Sequence, residues 1–415
     1  MACENTLSTL PPKFSISAPG KVILHGEHSV VYGHWAIAAS LNLRTRVDYA
    51  LSNDASADQQ FVHFILPNVE VDVVLSLRYH NMLKLMLAGK NTWDFSCPQN
   101  ADFENLVHCV QNFVTSEPML QNLSIQQQLA LKTGLFLMVA ILNHPDSSKL
   151  AGIKPFSVQV SSELPVGAGA GSSASYCVCL STLFVCLASF MIEPKANFYL
   201  DDKTKDLISK WAFIGERITH GNPSGLDNSI CTFGALISFR RPNTILKIPL
   251  HSGVRVLLVD TKVSRNTRTL VDRVAKLRER HGVIVDSIMQ AMDHISSEGE
   301  KYFKFLDEAK RMQSEIEAQH LFSKMEELWS MNHSLLQALG VSHPSLDQII
   351  QLSKEHNLCG KLTGAGGGGF AIILLPIKAS EHEAELILLK KDLTNAGYGI
   401  KEVELGGPGV QLHQC

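Results

Sequence analysis

Residues 156–173 read FSVQVSSELPVGAGAGSS, and this stretch decides which kind of fold the chain can adopt. From Phe156 to Ser161 apolar and polar side chains alternate, which is the pattern of a half-buried strand. A glycine-rich loop follows from Gly167 to Gly171, and residues 174–192 then contain no charged side chain. The segment therefore predicts a strand, a glycine loop and a buried helix in direct succession.

The glycine loop has the composition of an anion-binding turn. Glycines let backbone N–H groups approach a ligand without hindrance, and the positive end of the following helix points to the same place. The loop has no Gly-Lys-Ser/Thr, so it is not a Walker A motif, and Ser172 and Ser173 stand where a dinucleotide-binding helix would pack closely. A tight strand-to-helix turn explains the glycines equally well. The two hydroxyls favour a nucleotide site, because a hydroxyl beside a phosphate is a natural Mg²⁺ ligand.

Size, charge and cysteine usage exclude several classes of protein. A chain of 415 residues suits two domains, and a net charge of −3 provides no broad basic field for nucleic acid or an acidic membrane surface. The nine scattered cysteines have no Cys-x-x-Cys spacing, which indicates core residues in a reducing compartment. Residues 1–13 do not have the pattern of a secretory signal. We therefore expect a cytoplasmic protein.

The uncharged stretch at residues 174–192 is long enough to cross a bilayer. It nevertheless carries several Ser and Thr residues and a Tyr, and basic residues are missing from its N-terminal flank. A helix buried between a sheet and other helices explains this composition better. We therefore expect no association with a membrane.

The remaining pattern predicts a two-part organisation. A turn formed by residues 240–243 is the expected boundary between domains at 10–240 and 241–415, with the last strand free to pack back on the first domain. The other expected elements are a strand Phe14–Ser17 ending in a turn at Pro19-Gly20, a helix Lys203–His220, a strand Val254–Val259, charged helices over 265–319, and a strand Phe370–Leu375 after a second glycine cluster at 364–369.

Three charged residues outside the loop are candidates whose spacing alone assigns no role. Lys21 stands beside a glycine turn and offers the cation that the loop lacks, although a lone lysine is usually a surface charge. Glu216 lies on the predicted helix, where an exposed carboxylate is at least as good an interpretation. Asp227 follows a Gly/Pro-rich stretch, where aspartate more often serves as a turn or cap residue. His25 and His28 lack a third metal ligand, which favours packing or hydrogen bonding for both.

Residues 19–33, 164–175 and 361–369 together resemble the GHMP kinases, which are named for galactokinase, homoserine kinase, mevalonate kinase and phosphomevalonate kinase. Residues 20–28, 211–217, 220–228 and 261–267 are similar to the animal mevalonate kinase branch of that family, and the likeness covers about residues 14–413. The resemblance implies an α+β fold with two domains. An N-terminal ATP-binding domain with a left-handed βαβ unit would stand beside a ferredoxin-like C-terminal domain, with the active site in the cleft between them.

The resemblance also implies roles for single residues. Asp227 matches the catalytic aspartate that takes or directs the proton of the substrate hydroxyl, and Lys21 matches the lysine near that aspartate and the nucleotide. Ser173 and Glu216 match the Mg²⁺ ligands. Further matches are nucleotide contacts at Asn68 and Ser162, the phosphate loop Gly167, Ala168, Gly169, Ala170, Gly171, Ser172 and Ser173, and residues near the acceptor at His28 and Thr261.

These matches predict the reaction. We expect ATP and Mg²⁺ as cofactors and the 5-hydroxyl of (R)-mevalonate as acceptor, giving 5-phosphomevalonate for isoprenoid and sterol precursor synthesis. The resemblance further implies feedback inhibition by farnesyl or geranyl diphosphate and a homodimer. Another GHMP small-molecule kinase, or a catalytically silent nucleotide-binding regulator, is the alternative. Galactokinase-like chains carry Arg in place of Lys21, and homoserine kinases generally lack the equivalent of Asp227, so another GHMP kinase fits this sequence less well. The four residues that the reaction needs are all retained, which argues against a silent regulator; they are Lys21, Ser173, Glu216 and Asp227.

Overall fold

The structure is a computed structural model in which two units, each built on a β-sheet, follow one another along the chain. The residues it describes are 6–52, 61–76, 94–142, 154–165, 169–194, 197–221, 223–240, 244–248, 250, 253–264, 266–378 and 382–414. Within them helices and strands are mixed in both units. The predicted α+β fold with two domains is confirmed.

The N-terminal unit has a sheet centred on one long strand. The strands of this unit are β1 Thr6–Leu7, β2 Lys13–His25, β3 Ala36–Leu51, β4 Phe61–Leu66, β5 Val71–Ser76, β6 Phe156–Ser162, β7 Phe198–Tyr199, β8 Leu236–Arg240 and β9 Thr244–Ile248. Of these, β1 and β7 pair with each other as a separate two-stranded sheet. β3 pairs antiparallel with β2, β6 and β8, while β4 runs parallel to β6 and antiparallel to β5. Inward and outward residues alternate along β6, as the sequence predicts.

Helices cover this sheet and include the predicted buried helix. They are α1 Phe103–Ser116, α2 Ile125–Leu142, α3 Ser172–Ile192, α4 Asp202–His220 and α5 Leu226–Phe233. α1 and α2 lie in the connection between the parallel strands β4 and β6; the left-handed sense of this crossover stays a prediction. α2 and α3 are each long and apolar enough to cross a membrane, but most residues of both are buried inside the protein, α3 against β2, β3 and α4.

The C-terminal unit has the predicted ferredoxin-like arrangement. Its elements are β10 Val254–Asp260, α6 Thr267–Arg280, α7 Gly282–Arg311, α8 Glu315–Ala338, α9 Pro344–Glu355, β11 Gly360–Leu362, β12 Phe370–Leu374, α10 Glu383–Asn395, β13 Gly399–Leu405 and β14 Gln411–Gln414. The strands lie in the order β11-β12-β10-β13, and all neighbours are antiparallel. This order with helices between β10 and β11 and between β12 and β13 is the split βαβ motif.

Two expectations about chain direction are wrong. The chain does not turn at Pro19-Gly20, because β2 continues through both residues; the ladder bulges there on β3, since Pro19 pairs with Arg44 and Lys21 with Ser40. A bulge accommodates the proline, whose missing N–H would interrupt a regular ladder. The boundary expected at residues 240/241 falls inside a hairpin, since β9 pairs with β8 across it. The C-terminal sheet therefore starts later, at Val254.

The two units are joined through a shared core and through the end of the chain. Val22 and Leu24 of β2 lie in one apolar cluster with Phe322 and Trp329 of α8. β14 returns to the first unit and pairs with β2. Arg44 holds the approach to β14 by donating to Ser17 Oγ and to the carbonyls of residues 408 and 409, at 2.6–2.9 Å. Lys21, on β2, is thereby fixed by both units.

The close approach at Gly20 generates a stability prediction. A methyl group there would lie 2.4 Å from Leu164 Cδ2 and 2.7 Å from the carbonyl oxygen of Ala170, and the backbone oxygen cannot move aside easily. Gly20→Ala is expected to lower the free energy of unfolding by about 1–3 kcal/mol, as for overpacked core positions. Urea unfolding followed by circular dichroism measures the change.

The matched control is Gly282→Ala at the start of α7, where a methyl group meets nothing within 4 Å. Alanine is favoured over glycine in a helix, so this variant should be neutral or slightly more stable. Equal stability of the Gly20→Ala protein and the wild type would show that β2 tolerates a side chain at this position and that the packing argument is wrong.

Candidate active site

An ion pair between Lys21 and Asp227 lies at the centre of the candidate site. Lys21 Nζ is 3.0 Å from Asp227 Oδ2, and the lysine side chain is only 6% exposed whereas the aspartate is 34% exposed. Lys21 pairs with Ser40 of β3, and its backbone N–H also donates to Ala170 O of the glycine loop at 2.8 Å. A buried cation therefore meets a carboxylate that solvent or a ligand can reach.

Asp227 is presented by the first turn of α5. Gly225 precedes this helix with φ +84°, a left-handed conformation that glycine adopts at little cost. The Leu226 N–H donates to Ser224 Oγ at 3.3 Å and helps to start the helix. The free N–H groups and the dipole at a helix start favour a negative charge there. The turn formers thus place a carboxylate where the backbone stabilises it.

Glu216 of α4 is the third charged residue of the candidate site, and it interacts electrostatically with both Asp227 and Lys21. Its side chain is buried, and within the described part of the chain Oε2 has no hydrogen-bond partner. Burial, and then the Asp227 carboxylate, raise the pKa of Glu216 well above its usual value, while Lys21 opposes this shift. A buried carboxylate oxygen without a donor is costly to retain unless a cation or ligand completes it.

Ser173 is held beside Glu216 through a threonine. Ser173 Oγ lies 3.2 Å from Thr219 Oγ1, and the Thr219 hydroxyl donates to the Glu216 carbonyl at 3.1 Å. Ser173 belongs to the first turn of α3, so these contacts join the start of α3 to α4. The two predicted metal ligands therefore sit on adjacent helices, next to the Lys21–Asp227 pair.

The glycine loop leads into the start of α3 as the sequence predicts, and its contact with phosphate stays a prediction. Gly169 and Gly171 have φ of +88° and +78°, and Ala170 is buried. A methyl group on Gly171 would lie 2.8 Å from Lys21 Cγ, so the loop and the lysine stem pack directly together. Ser172 is half-buried in the first turn of α3. Gly167 and Ala168 lie outside the described residues.

Asn68 and Ser162 lie together but bond mainly to each other. The Asn68 amide donates to Ser162 O at 3.0 Å and accepts from Ser162 N at 2.8 Å, while Ser162 Oγ lies 2.9 Å from Thr45 Oγ1. Among the described residues, neither shares a hydrogen bond with Lys21, Glu216 or Asp227. Both fix the strand that leads into the glycine loop, and nucleotide contact by them stays a prediction.

His28 and Thr261 meet at the second glycine cluster, residues 364–369. His28 Nε2 lies 2.9 Å from Ala365 O, and Thr261 Oγ1 donates to Gly369 O at 2.8 Å. Both side chains are buried, and they come from different units of the fold. The structure thus brings them to one segment, and their contact with an acceptor stays a prediction.

Thr219 and His220 belong to the site although the sequence did not single them out. Thr219 connects Ser173 with Glu216, as described above. The His220 pKa is lowered, first by partial loss of solvent and then by Lys21, while Asp227 opposes the shift, so this ring lies within the field of the ion pair. The sequence offered one signal for them. Both residues lie between Glu216 and Asp227, two candidates for the site, and so had to be near it.

The arrangement can perform phosphoryl transfer. The start of α3 offers N–H groups and a positive dipole to phosphate oxygens, and Lys21 adds a fixed cation. Glu216 and Ser173 offer the hard oxygen ligands that Mg²⁺ prefers, and Asp227 can accept a proton from a hydroxyl. Groups of three or more His, Cys, Asp or Glu suited to a metal are missing from the described residues. A metal held by few protein ligands together with phosphates is the arrangement typical of Mg²⁺.

Comparisons with known proteins agree with this geometry. The family description "GHMP kinases N terminal domain" matches residues 137–235, and "GHMP kinases C terminal" matches residues 312–393. Mevalonate kinase of Homo sapiens is 35% identical over 96% of this chain and 95% of its own length. A crystal structure of mevalonate kinase superposes with a TM-score of 0.64 at 23% identity, covering 95% of this chain and 99% of that one. The L. major mevalonate kinase in complex with R-mevalonate gives a TM-score of 0.60 at 21% identity, covering 98% and 100%.

The fold and the two matched domains are those of a GHMP kinase. Both family domains occur in the expected order, and the residues between and around them form the two units described above. Within this class, identity of 35% over nearly the full length decides the branch: the chain belongs to the mevalonate kinase family.

The unpartnered Glu216 oxygen predicts that removing its charge raises stability and lowers activity. Because burial raises its pKa, the ionised side chain costs folding free energy at neutral pH, and this cost disappears as the pH falls toward 4.5. Glu216→Gln should therefore raise the urea midpoint of the ligand-free protein, more at pH 7 than at pH 5, while activity falls. Asp206→Asn, on the exposed face of α4, is the control and should change neither. A lower midpoint for Glu216→Gln at pH 7 would contradict the argument.

Proposed function

We propose that this protein transfers the γ-phosphoryl group of ATP to the 5-hydroxyl of (R)-mevalonate. The observation that carries the proposal is the convergence of Lys21, Ser173, Glu216 and Asp227 beside the start of α3, in a chain that belongs to the mevalonate kinases. Phosphoryl transfer needs positioning and charge neutralisation more than covalent chemistry. These four side chains supply both.

Asp227 and Lys21 act on the acceptor hydroxyl and on the transferring group. The exposed side of the Asp227 carboxylate accepts the hydroxyl proton, or directs it, as the alcohol oxygen attacks the γ-phosphorus. Lys21 Nζ, 3.0 Å from that carboxylate, keeps it in place and offsets the negative charge that gathers on the phosphoryl oxygens. The lysine is buried, so it is positioned before substrate binds.

The acceptor is assigned from the relatives and from one feature of the site. The curated relatives are named mevalonate kinases, and the L. major structure contains R-mevalonate. His28 and Thr261 lie on the second glycine cluster, where each could orient a polar acceptor opposite the nucleotide. A small hydroxy acid would be recognised by such paired polar groups.

We propose Mg²⁺ as the metal partner of ATP, held by Ser173 and Glu216. The fit is supported by the unpartnered Glu216 oxygen and by the Ser173 hydroxyl, which Thr219 links to the backbone carbonyl of Glu216. When bound, Mg²⁺ would neutralise charge on the phosphate oxygens. The residues themselves orient the nucleotide and exclude water from the buried side of the site.

Four further proposals rest on the family resemblance. The product would enter isoprenoid and sterol precursor synthesis, the protein would be cytoplasmic, and it would form a homodimer. Farnesyl or geranyl diphosphate would inhibit it by occupying the phosphate loop, since a diphosphate presents the same oxygens to the start of α3. Farnesyl diphosphate should therefore raise the apparent KM for ATP without lowering kcat, and a kcat effect alone would contradict competition at this loop.

The direct test is ADP release from purified protein with ATP, Mg²⁺ and mevalonate. The wild type should turn over mevalonate in preference to phosphomevalonate, homoserine and galactose. Asp227→Asn should lower kcat roughly 100-fold or more, as expected for the loss of a proton acceptor. Asp272→Asn, an exposed residue of α6, is the control and should leave kcat unchanged. A mild effect of Asp227→Asn would show that another group takes the proton.

A further inference from the structure

A buried ion pair joins the two units of the fold without involving any residue assigned to the reaction above. The Lys361 ammonium of β11 donates to Glu27 Oε1, and both side chains are completely buried. Glu27 follows the end of β2 in the first unit, whereas Lys361 precedes the second glycine cluster in the other. The two residues are 334 positions apart in sequence. The family roles described above use neither residue.

The hydrogen bonds around the pair compensate both charges. Asn332 of α8 donates from Nδ2 to the other Glu27 oxygen at 3.0 Å, and Lys361 Nζ also donates to Leu362 O at 2.7 Å. Burial, reinforced by Lys361, lowers the pKa of His25 and brings that of His333 to about 4, so both neighbouring rings are neutral at pH 7. Neither ring therefore adds a positive charge beside the Glu27–Lys361 pair.

Stability alone is a weak reason for such a pair. Apolar side chains of similar volume often stabilise a buried site equally well or better, because removing two charges from water is expensive. The best-supported advantage of a buried charged pair is that it specifies a single register between the elements it joins. Here the joined elements are segments 23–28 and 361–365.

Two neighbouring contacts connect the same segments. The Ile23 N–H donates to Thr363 Oγ1 at 3.0 Å, and the Thr363 hydroxyl donates to Ile23 O at 2.8 Å. His28 Nε2 lies 2.9 Å from Ala365 O. The ion pair thus belongs to a continuous seam along the boundary between the units.

The seam lies between the two sides of the proposed reaction. Two residues before Ile23, β2 carries Lys21, which pairs with Asp227 on the phosphoryl side. On the other side, the glycine cluster that follows Thr363 holds Thr261 through two hydrogen bonds to Gly369 O, at 2.8 and 2.9 Å. A shift of one segment along the other would change the position of Thr261 relative to Lys21 and His28.

We propose that Glu27 and Lys361 are positioning residues for the phosphoryl transfer, because they set the register of the acceptor side against the nucleotide side. This inference rests on the proposed function. Every nucleotide group described above belongs to the first unit, so the register should matter for the acceptor far more than for ATP. Displacements of about 1 Å remote from the reacting atoms are enough to lower rates up to 100-fold.

The experiment compares Glu27→Gln, Lys361→Met and the double variant with both changes. KM for mevalonate, KM for ATP, kcat and the urea midpoint are measured for each. The single variants leave one buried charge without its partner, so both midpoints should fall. The double variant contains no unpaired charge, so its midpoint should return toward the wild-type value.

The decisive result is the behaviour of the double variant toward the two substrates. Its KM for mevalonate should stay raised about tenfold or more, with KM for ATP within about twofold of wild type, because a neutral pair does not restore the register. Recovery of both the midpoint and the mevalonate KM would overturn the proposal and leave a purely stabilising role. Unchanged KM values in a folded single variant would overturn it as well. If the single variants do not fold, the double variant alone decides.

Two controls separate the possible failures. Lys301→Met removes the exposed pair with Glu298 on α7, 2.7 Å apart, and should change neither the midpoint nor the KM values. The wild type is assayed first: if it releases ADP with another alcohol and not with mevalonate, the proposed acceptor is wrong. The same variants are then assayed with that alcohol as the acceptor. A raised KM for the alcohol with an unchanged KM for ATP supports the positioning role, and unchanged KM values for both contradict it.

Discussion

The ion pair between Lys21 and Asp227 requires three separate elements to meet. β2 must pass close to the glycine loop at Gly20, α3 must begin directly after Gly171 so that the lysine stem fits beside the loop, and α5 must begin directly after Gly225 so that Asp227 meets the lysine. Each of these glycines permits a close approach or a left-handed backbone that other residues resist. The distance of 3.0 Å between the two charges is therefore a product of backbone geometry at three points.

The site retains an unfavourable group where the chemistry needs one. Glu216 is buried with an oxygen that lacks a donor in the described part of the chain, and this burial raises its pKa because the ionised form is disfavoured there. Such groups persist when a ligand completes them, and they lower the stability of the ligand-free protein. By contrast, Glu27 is also buried but is fully bonded to Lys361 and Asn332. The Glu216 carboxylate thus has an oxygen left for a ligand, whereas both oxygens of Glu27 are already bonded within the protein.

Local sequence patterns predicted most of the helices and strands, and within the site they predicted the glycine loop. The alternation of β6, the glycine loop and the uncharged α3 were readable because strand period, turn chemistry and helix burial all act over a few residues. The ferredoxin-like unit and the roles of Lys21, Ser173, Glu216 and Asp227 came from resemblance, since spacing alone left each with an ordinary structural interpretation. In the structure these four residues lie close to the start of α3.

What could not be predicted depends on tertiary contact. The turn expected at Pro19-Gly20 failed because pairing with β3 and the approach of Ala170 carry the strand onward. The boundary at residues 240/241 failed because a turn signal is the same in a hairpin and between domains. The seam of Glu27 with Lys361 joins residues too far apart in sequence for any local pattern to connect.

The most direct test of the central claim is a crystal structure of this protein with mevalonate, Mg²⁺ and a non-hydrolysable ATP analogue. The acceptor hydroxyl should lie within hydrogen-bond reach of Asp227, about 2.6–3.2 Å, and face the γ-phosphorus. Lys21 should contact the γ-phosphate, and Glu216 and Ser173 should face the metal. A hydroxyl bound away from Asp227, with the triphosphate remote from the start of α3, would contradict the claim that these four side chains perform the transfer.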